Sequence, residues 1–348
     1  MTAPSTSLRV LFHTQDWAYQ NPGGAEVQLL QTRRALQDLG VTVDLFDLWH
    51  SRVADYPLVH SFSLFGHRFW PAVKSAGVAL VVSTIVWPSA RLSLSGRFRG
   101  HVLQFAESRH WVTPGEHRPP FGLIDLALPN SQAEADLLTE AYGIPPERIH
   151  VVPNGVDERF AQAQPQAFIE RYGLQGFVLC VGAFDTRKNQ LTALRALKDC
   201  DVQVVFLGRA RLGHEAYYEQ CRSEAGPNMH FLGQLAHDDP LLESAYAAAG
   251  VLLMPSLLET PGLVALEAAL AGTPLVLTPG GCTREYFADL ATYVSPHSEQ
   301  EIRDAVLRTL QSSPETSALQ ERVRSHFLWR HAAEATLAGY HKALAREG

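Results

Sequence analysis

Between Phe177 and Val294, six short apolar runs alternate with stretches of helical character: Phe177–Val181, Gln203–Leu207, Met229–Leu232, Val251–Met254, Pro274–Leu277 and Ala291–Val294. Six strand–helix units in a row predict a doubly wound α/β domain with a parallel sheet. The first half repeats the pattern more raggedly. Strand candidates are Leu8–His13, Val41–Phe46, Leu58–Phe62, Val78–Ser83, Val102–Phe105, Ile124–Pro129 and Ile149–Val152, with a helix at about Ala25–Leu39. A second helix, Ser131–Ala141, starts on a serine N-cap with Glu134 at capping-box spacing. The chain has 348 residues, more than one core usually covers, so two domains are expected. The turn NGVDERF and the Gln/Ala/Pro stretch between Asn154 and Gln166 place the link, giving domains at 1–162 and 163–327. The tail reads as helices at Glu299–Leu310, Glu315–Phe327 and Trp329–Ala345.

The stretch Leu252–Val276 carries the most chemistry. A buried strand ends at Pro255, a polar loop holds Glu259, and Pro261–Gly262 open a helix that holds Glu267. On one continuous helix, two acids eight positions apart would lie about 80° apart around the axis. The break at Pro261–Gly262 instead lets both face one crevice beyond the carboxyl ends of the strands, where open α/β sheets bind ligands. The helix around Glu267 is otherwise apolar, so this acid is expected to be half-buried and in need of hydrogen-bond partners. Two glycine turns add to the picture. NPGGAE places Gly23 and Gly24 before the first helix, which suits close approach of an anion but on its own reads more readily as a plain turn and cap. VGAFDTRKNQ places Arg187 and Lys188 at the start of a helix, where they are either solvated or bound to phosphate.

Other chemistries find little support. The formal net charge of -7 argues against a broad nucleic-acid-binding face. Cys180, Cys200, Cys221 and Cys282 lack paired spacing, and His13, His101 and His110 lack metal spacing, so no metal site is expected. The start has no secretory pattern and no apolar run reaches about 18–20 residues, which points to the cytoplasm. The arginines of Arg91–His101 read as a solvated loop, or as an acceptor or membrane-surface contact. Asp44 and Asp47 end the second strand, but the dinucleotide glycine spacing is missing, and so is G-x-S-x-G.

Together these motifs resemble the glycosyltransferases of family four, which have two Rossmann-like doubly wound domains facing a central cleft, the GT-B fold. NPGGAE resembles that family's N-terminal glycine loop, and VVPNGVD the segment closing the first domain. VGAFDTRKN resembles its phosphate-binding turn, ETPGLVALE its E-x7-E motif, and TPGGCTRE a weaker glycine pair after the next strand. The resemblance covers nearly the whole chain. It implies a helix at 328–348 crossing back to the first domain. It also implies Glu267 on the ribose hydroxyls, Glu259 on the donor sugar, and Lys188 with Arg187 on the diphosphate. Backbone N–H groups near Gly262–Leu263 and Gly23–Gly24 would complete the cradle.

Two departures stand out. Ala183 replaces the arginine often found in the phosphate turn, and Val86–Trp87 replaces a histidine–aspartate that contacts the sugar, with His101 or His110 as substitutes. LQFAESRHW resembles rhamnosyl-type members, making Gln104 and Glu107 candidates. The implied activity is retaining, metal-independent glycosyl transfer from a nucleotide diphosphate sugar (UDP, GDP, ADP or dTDP) to a hydroxyl of a polysaccharide, lipid-linked glycan or small metabolite. No further cofactor and no nucleic acid are implied, and peripheral contact at the inner face of a membrane stays open. The alternatives are a sugar-nucleotide epimerase or phosphorylase, a nicotinamide dehydrogenase, and a sensor that binds a sugar nucleotide without transferring it.

Overall fold

Every strand pairing among the described residues is parallel, as the near-continuous apolar runs predict for sheets covered on both faces. The computed structural model describes residues 8–15, 18–20, 23–62, 64–86, 119–260 and 262–346. The predictions for Trp87, His101, His110, Gln104, Glu107, Pro261, the strand at Val102–Phe105 and the arginine cluster from Arg91 fall outside these residues. The chain divides into two units, Met1–Pro153 with Arg330–Gly348, and Asn154–Trp329.

The first unit holds β1 (Arg9–His13), β2 (Thr42–Leu45), β3 (Leu58–Phe62), β4 (Ala79–Ser83) and β5 (Leu126–Ala127), in the order β2-β1-β3-β4-β5. Its described helices include α1 (Gly24–Asp38), α2 (Trp70–Ser75) and α3 (Gln132–Tyr142). Leu11, Val59, Leu80, Val82, Trp70 and Leu138 meet in one buried cluster, so the sheet packs against α2 and α3. At the start of α3, Ser131 Oγ accepts the Glu134 N–H at 3.1 Å, half of the expected capping box. The other half is redirected. Glu134 accepts from Asn130 N at 2.9 Å, and from Thr84 Oγ1 and Val86 N, both at 2.6 Å, and so fixes the turn after β4. Burial pushes the Glu134 carboxyl above its ordinary range, against these three hydrogen bonds.

The second unit holds α4 (Gln166–Tyr172), β6 (Phe177–Val181), α5 (Gln190–Leu197), β7 (Val204–Leu207), α6 (Glu215–Ser223), β8 (Met229–Gly233), α7 (Pro240–Ala248) and β9 (Ala249–Met254). It continues with α8 (Leu263–Leu270), β10 (Leu275–Leu277), α9 (Thr283–Phe287), β11 (Thr292–Tyr293), α10 (Glu299–Ser312) and α11 (Ser317–His326). The sheet order is β11-β10-β9-β6-β7-β8. Read from β8, that is the 3-2-1-4-5-6 order of a dinucleotide-type fold, with the strand order reversing between β6 and β9.

The division after Pro153 differs from the expected one after residue 162. Val156 bridges to Leu328, and Phe160 is buried with its ring 5.7 Å from that of Tyr246, so 154–162 belong to the second unit. α4 begins where the stretch read as a linker ends, and Ser244 Oγ takes the N–H of its Phe168 at 2.9 Å. The final helix, α12 (Trp329–Leu344), starts in the second unit and supplies Arg330 onward to the first. There Tyr340 Oη lies 2.6 Å from Nδ1 of the buried His60, Ala335 O lies 3.0 Å from His150 Nε2, and Lys342 Nζ donates to Ile149 O at 2.9 Å. Among the described residues, no helix is long and apolar enough to cross a membrane.

Candidate functional site

The reversal between β6 and β9 leaves two neighbouring strands whose following loops, 182–189 and 255–262, lead to opposite sides of the sheet. A recess opens at their carboxyl ends, lined by Gly182, Phe184, Lys188, Met254, Pro255 and Ser256. Lys188 is brought there by a turn. Asp185 Oδ1 takes the Lys188 N–H at 2.8 Å, and Asn189 adopts a left-handed φ of 59° before α5 begins. Arg187 and Lys188 therefore sit ahead of the helix rather than on its first turn. The Asn189 amide anchors the turn to Pro255 O at 3.0 Å and Pro296 O at 2.8 Å. Burial alone would raise the Asp185 carboxyl. The Lys188 N–H and the Arg187 and Arg211 charges outweigh it, leaving the group below its ordinary range and ionised. Arg211 Nη1 lies 3.2 Å from Asp185 Oδ2 and adds a third cation to this corner.

Glu259 lies on the polar loop expected for it, yet it is only 2% exposed. Its carboxylate takes Lys188 Nζ at 2.7 Å, Ser256 Oγ at 2.9 Å and Arg187 Nη1 at 3.5 Å. Its backbone is held too: Glu259 N donates to Gly280 O at 3.1 Å and Glu259 O accepts from Cys282 N at 3.3 Å. This contact demands Gly281, which has φ of 100° and where a Cβ would stand 1.9 Å from Glu259 O. Burying an ion pair is tolerable only when both charges are matched and hydrogen-bonded, as here. Arg187 remains the more exposed cation, its guanidinium also donating to Leu258 O at 2.9 Å.

Gly262 caps α8 at φ 61° and ψ 90°, close against Met254 and Glu259 Cγ, both at 3.2 Å from a hypothetical Cβ. Helix geometry leaves the Leu263 N–H without an intrahelical acceptor, at the end that favours anions. Glu267, one turn further on, is 4% exposed rather than half-buried. Its partners come from the protein: Tyr246 Oη at 2.6 Å and His237 Nε2 at 3.1 Å. Burial first, then the facing Glu267 carboxylate, pushes the Tyr246 hydroxyl well above its ordinary range, so it stays a donor. Lys188, Arg187, Glu259, Gly262, Leu263 and Glu267 thus cluster in one unit.

Gly23 and Gly24 belong to the other unit. The Gly23 N–H donates to Glu26 Oε2 at 2.8 Å, which takes it out of any anion cradle, whereas Gly24 opens α1. Sequence reasoning missed Asp185, Arg211, Ser256, Tyr246 and His237. Asp185 and Arg211 carried a readable signal, as polar residues in the glycine turns after β6 and β7. Tyr246 and His237 carried none beyond a lone polar group beside an apolar helix.

Known proteins are similar to this chain in sequence and in fold. The family described as "Glycosyl transferases group 1" matches residues 166–326, and "Glycosyltransferase Family 4" matches residues 59–160. The chain is 28% identical to the MMP alpha-(1->4)-mannosyltransferase of Mycolicibacterium hassiacum, over 85% of this chain and 72% of that protein. It is 24% identical to the D-inositol 3-phosphate glycosyltransferase of Stackebrandtia nassauensis, over 93% and 88%. In fold it is similar to HepE of Anabaena in complex with UDP and glucose, with TM-score 0.73, 19% identity and coverage of 96% and 99%. Sucrose-phosphate synthase of Thermosynechococcus elongatus gives TM-score 0.75 at 18% identity, covering 98% and 100%. With both halves matched in order, and with two doubly wound sheets of parallel strands, the chain belongs to the group 1 family of glycosyl transferases and is built from two Rossmann-like domains.

Proposed function

We propose that this glycosyltransferase retains anomeric configuration, needs no divalent metal, and moves a sugar from a nucleotide diphosphate sugar to a hydroxyl acceptor. The observation that carries the reading is the pairing of Lys188 and Arg187 with Glu259 at the switch point between β6 and β9, beside the start of α8. A diphosphate there meets two cations and the Leu263 N–H. The sugar C1–oxygen bond breaks toward the β-phosphate, which gains charge that Lys188 and Arg187 stabilise. The acceptor oxygen bonds to C1 on the same face, and its proton passes to the departing phosphate oxygen. Glu259 meets the donor-sugar hydroxyls and also aims Lys188. Glu267 holds the ribose hydroxyls, and the second unit holds the donor.

The test is thermal shift with UDP, GDP, ADP and dTDP, each with and without chelator, since a ligand stabilises by mass action. UDP is the first probe, because HepE, similar in fold, was seen with UDP and with UDP-glucose. One diphosphate should raise the melting temperature equally with and without chelator, and transfer should give product of the donor's anomeric configuration by NMR. No shift with any of the four removes the donor site. A shift lost with chelator removes metal independence, and inverted product removes retention. A shift with no transfer across a panel of acceptors would leave a sensor.

A further inference from the structure

Glu267 is gripped by two side chains to which the site as described gives no role. Tyr246, on α7, is fully buried and donates to Glu267 Oε2, while its backbone oxygen accepts Thr273 Oγ1 at 2.7 Å. His237, on the loop after β8, meets Glu267 Oε1. That loop is pinned in turn: the Arg159 guanidinium donates to His237 O and to Glu243 Oε1, and lies over the Phe160 ring at 4.6 Å. Phe160 packs edge-on against both rings, with centroids 5.7 Å from Tyr246 and 6.2 Å from His237.

A glutamate's last torsion is broad, so a free carboxylate samples many orientations. Holding one oxygen from each side fixes it. Each carboxylate oxygen has about two acceptor sites, so one remains on each after Tyr246 and His237 are served. We propose that Tyr246 and His237 are positioning residues that lock the Glu267 carboxylate so that its remaining acceptor sites match the paired 2′ and 3′ hydroxyls of a ribonucleoside diphosphate. This rests on the reading of Glu267 as the ribose ligand, and it adds a selectivity for ribose over 2′-deoxyribose that depends on residues the nucleotide need not touch.

Calorimetric affinities for UDP, GDP and ADP and their 2′-deoxy counterparts test it, on the unmodified protein and on Glu267→Gln, Tyr246→Phe, His237→Phe and His237→Gln. The unmodified protein should favour the ribonucleotide by about tenfold or more, the worth of one charge-assisted hydrogen bond. Tyr246→Phe and His237→Phe should lose most of that preference by weakening the ribonucleotide alone, and His237→Gln, which keeps a donor near the Nε2 position, should restore part of it. Either phenylalanine variant also loses stability by unpairing a buried carboxylate, so the nucleotide preference is the deciding readout: weakening of ribo- and deoxynucleotide alike would show a purely structural role and overturn the proposal. If Glu267→Gln keeps the preference, the ribose reading itself fails. If Glu267→Gln loses the preference while Tyr246→Phe keeps it, the ribose reading stands and the positioning role fails. Absence of binding by all six nucleotides overturns both.

Discussion

The Lys188 ammonium lies 2.7 Å from a carboxylate that is itself almost fully buried, so substitutions at this pair report on chemistry and on folding at once. Lys188→Ala removes a charge that acts on the departing diphosphate, and turnover should fall roughly 10²–10³-fold in a steady-state assay. Glu267 holds groups that do not change during the reaction. Glu267→Ala should therefore raise the donor KM, by about 1.5–3 kcal/mol per hydrogen bond, and spare turnover at saturation. Gly281→Ala tests the backbone under Glu259. The added methyl would meet Glu259 O at 1.9 Å in a left-handed φ, so the loop must shift and activity should fall together with melting temperature. An unchanged variant would show that the Glu259 loop tolerates displacement. Glu259 and Glu267 were legible in the sequence as types and spacing, and their burial was not. The partners that bury them, Lys188 for one and Tyr246 and His237 for the other, come from 71, 21 and 30 positions away, and local periodicity carries no record of such distances.

Strands and helices were the readable scale. Leu58–Phe62 and Phe177–Val181 match the observed strands to the residue, because a buried parallel strand reads as a short, mostly apolar run between turns. The link region was misread, since its one described helical element, the 3-10 turn Glu158–Gln162, has only five residues, and the burial of Phe160 rests on Tyr246 far along the chain. The packing of α12 on β3 gives a pH prediction. Burial holds His60 near a pKa of about 3, far below its ordinary value of 6.5, so the unfolded chain takes up the proton first. The stability this neutral histidine contributes is complete above about pH 6.5 and is lost as pH falls toward 3. Melting curves across that range should slope downward with acid, and His60→Gln should flatten the slope. Tyr340→Phe leaves His60 Nδ1 without its partner in a buried place and should cost about 1–3 kcal/mol, read by denaturant unfolding.

At the scale of the whole molecule, the two units are unequal in how the chain supplies them. The second is one unbroken segment from Asn154 to Trp329, whereas the first is closed only by Arg330 and the residues after it. A fragment of residues 154–329 should melt cooperatively on its own. A fragment of residues 8–153 lacks Tyr340, Ala335 and Lys342, so His60, His150 and Ile149 O lose their partners, and it should melt broadly or aggregate in calorimetry. Cooperative melting of that shorter fragment would show that α12 is dispensable to its core.

The two-segment make-up of the first unit also sets a schedule during synthesis. The 176 residues from Asn154 to Trp329 (329 minus 153) must leave the ribosome before α12 does. At about 5–20 residues per second that is roughly 10–35 s. Through that interval the nascent first sheet waits with His60 uncovered, while the nested segment downstream can already complete its own sheet. The half of the protein translated first is the half finished second, and it is the half a holding chaperone would have reason to bind.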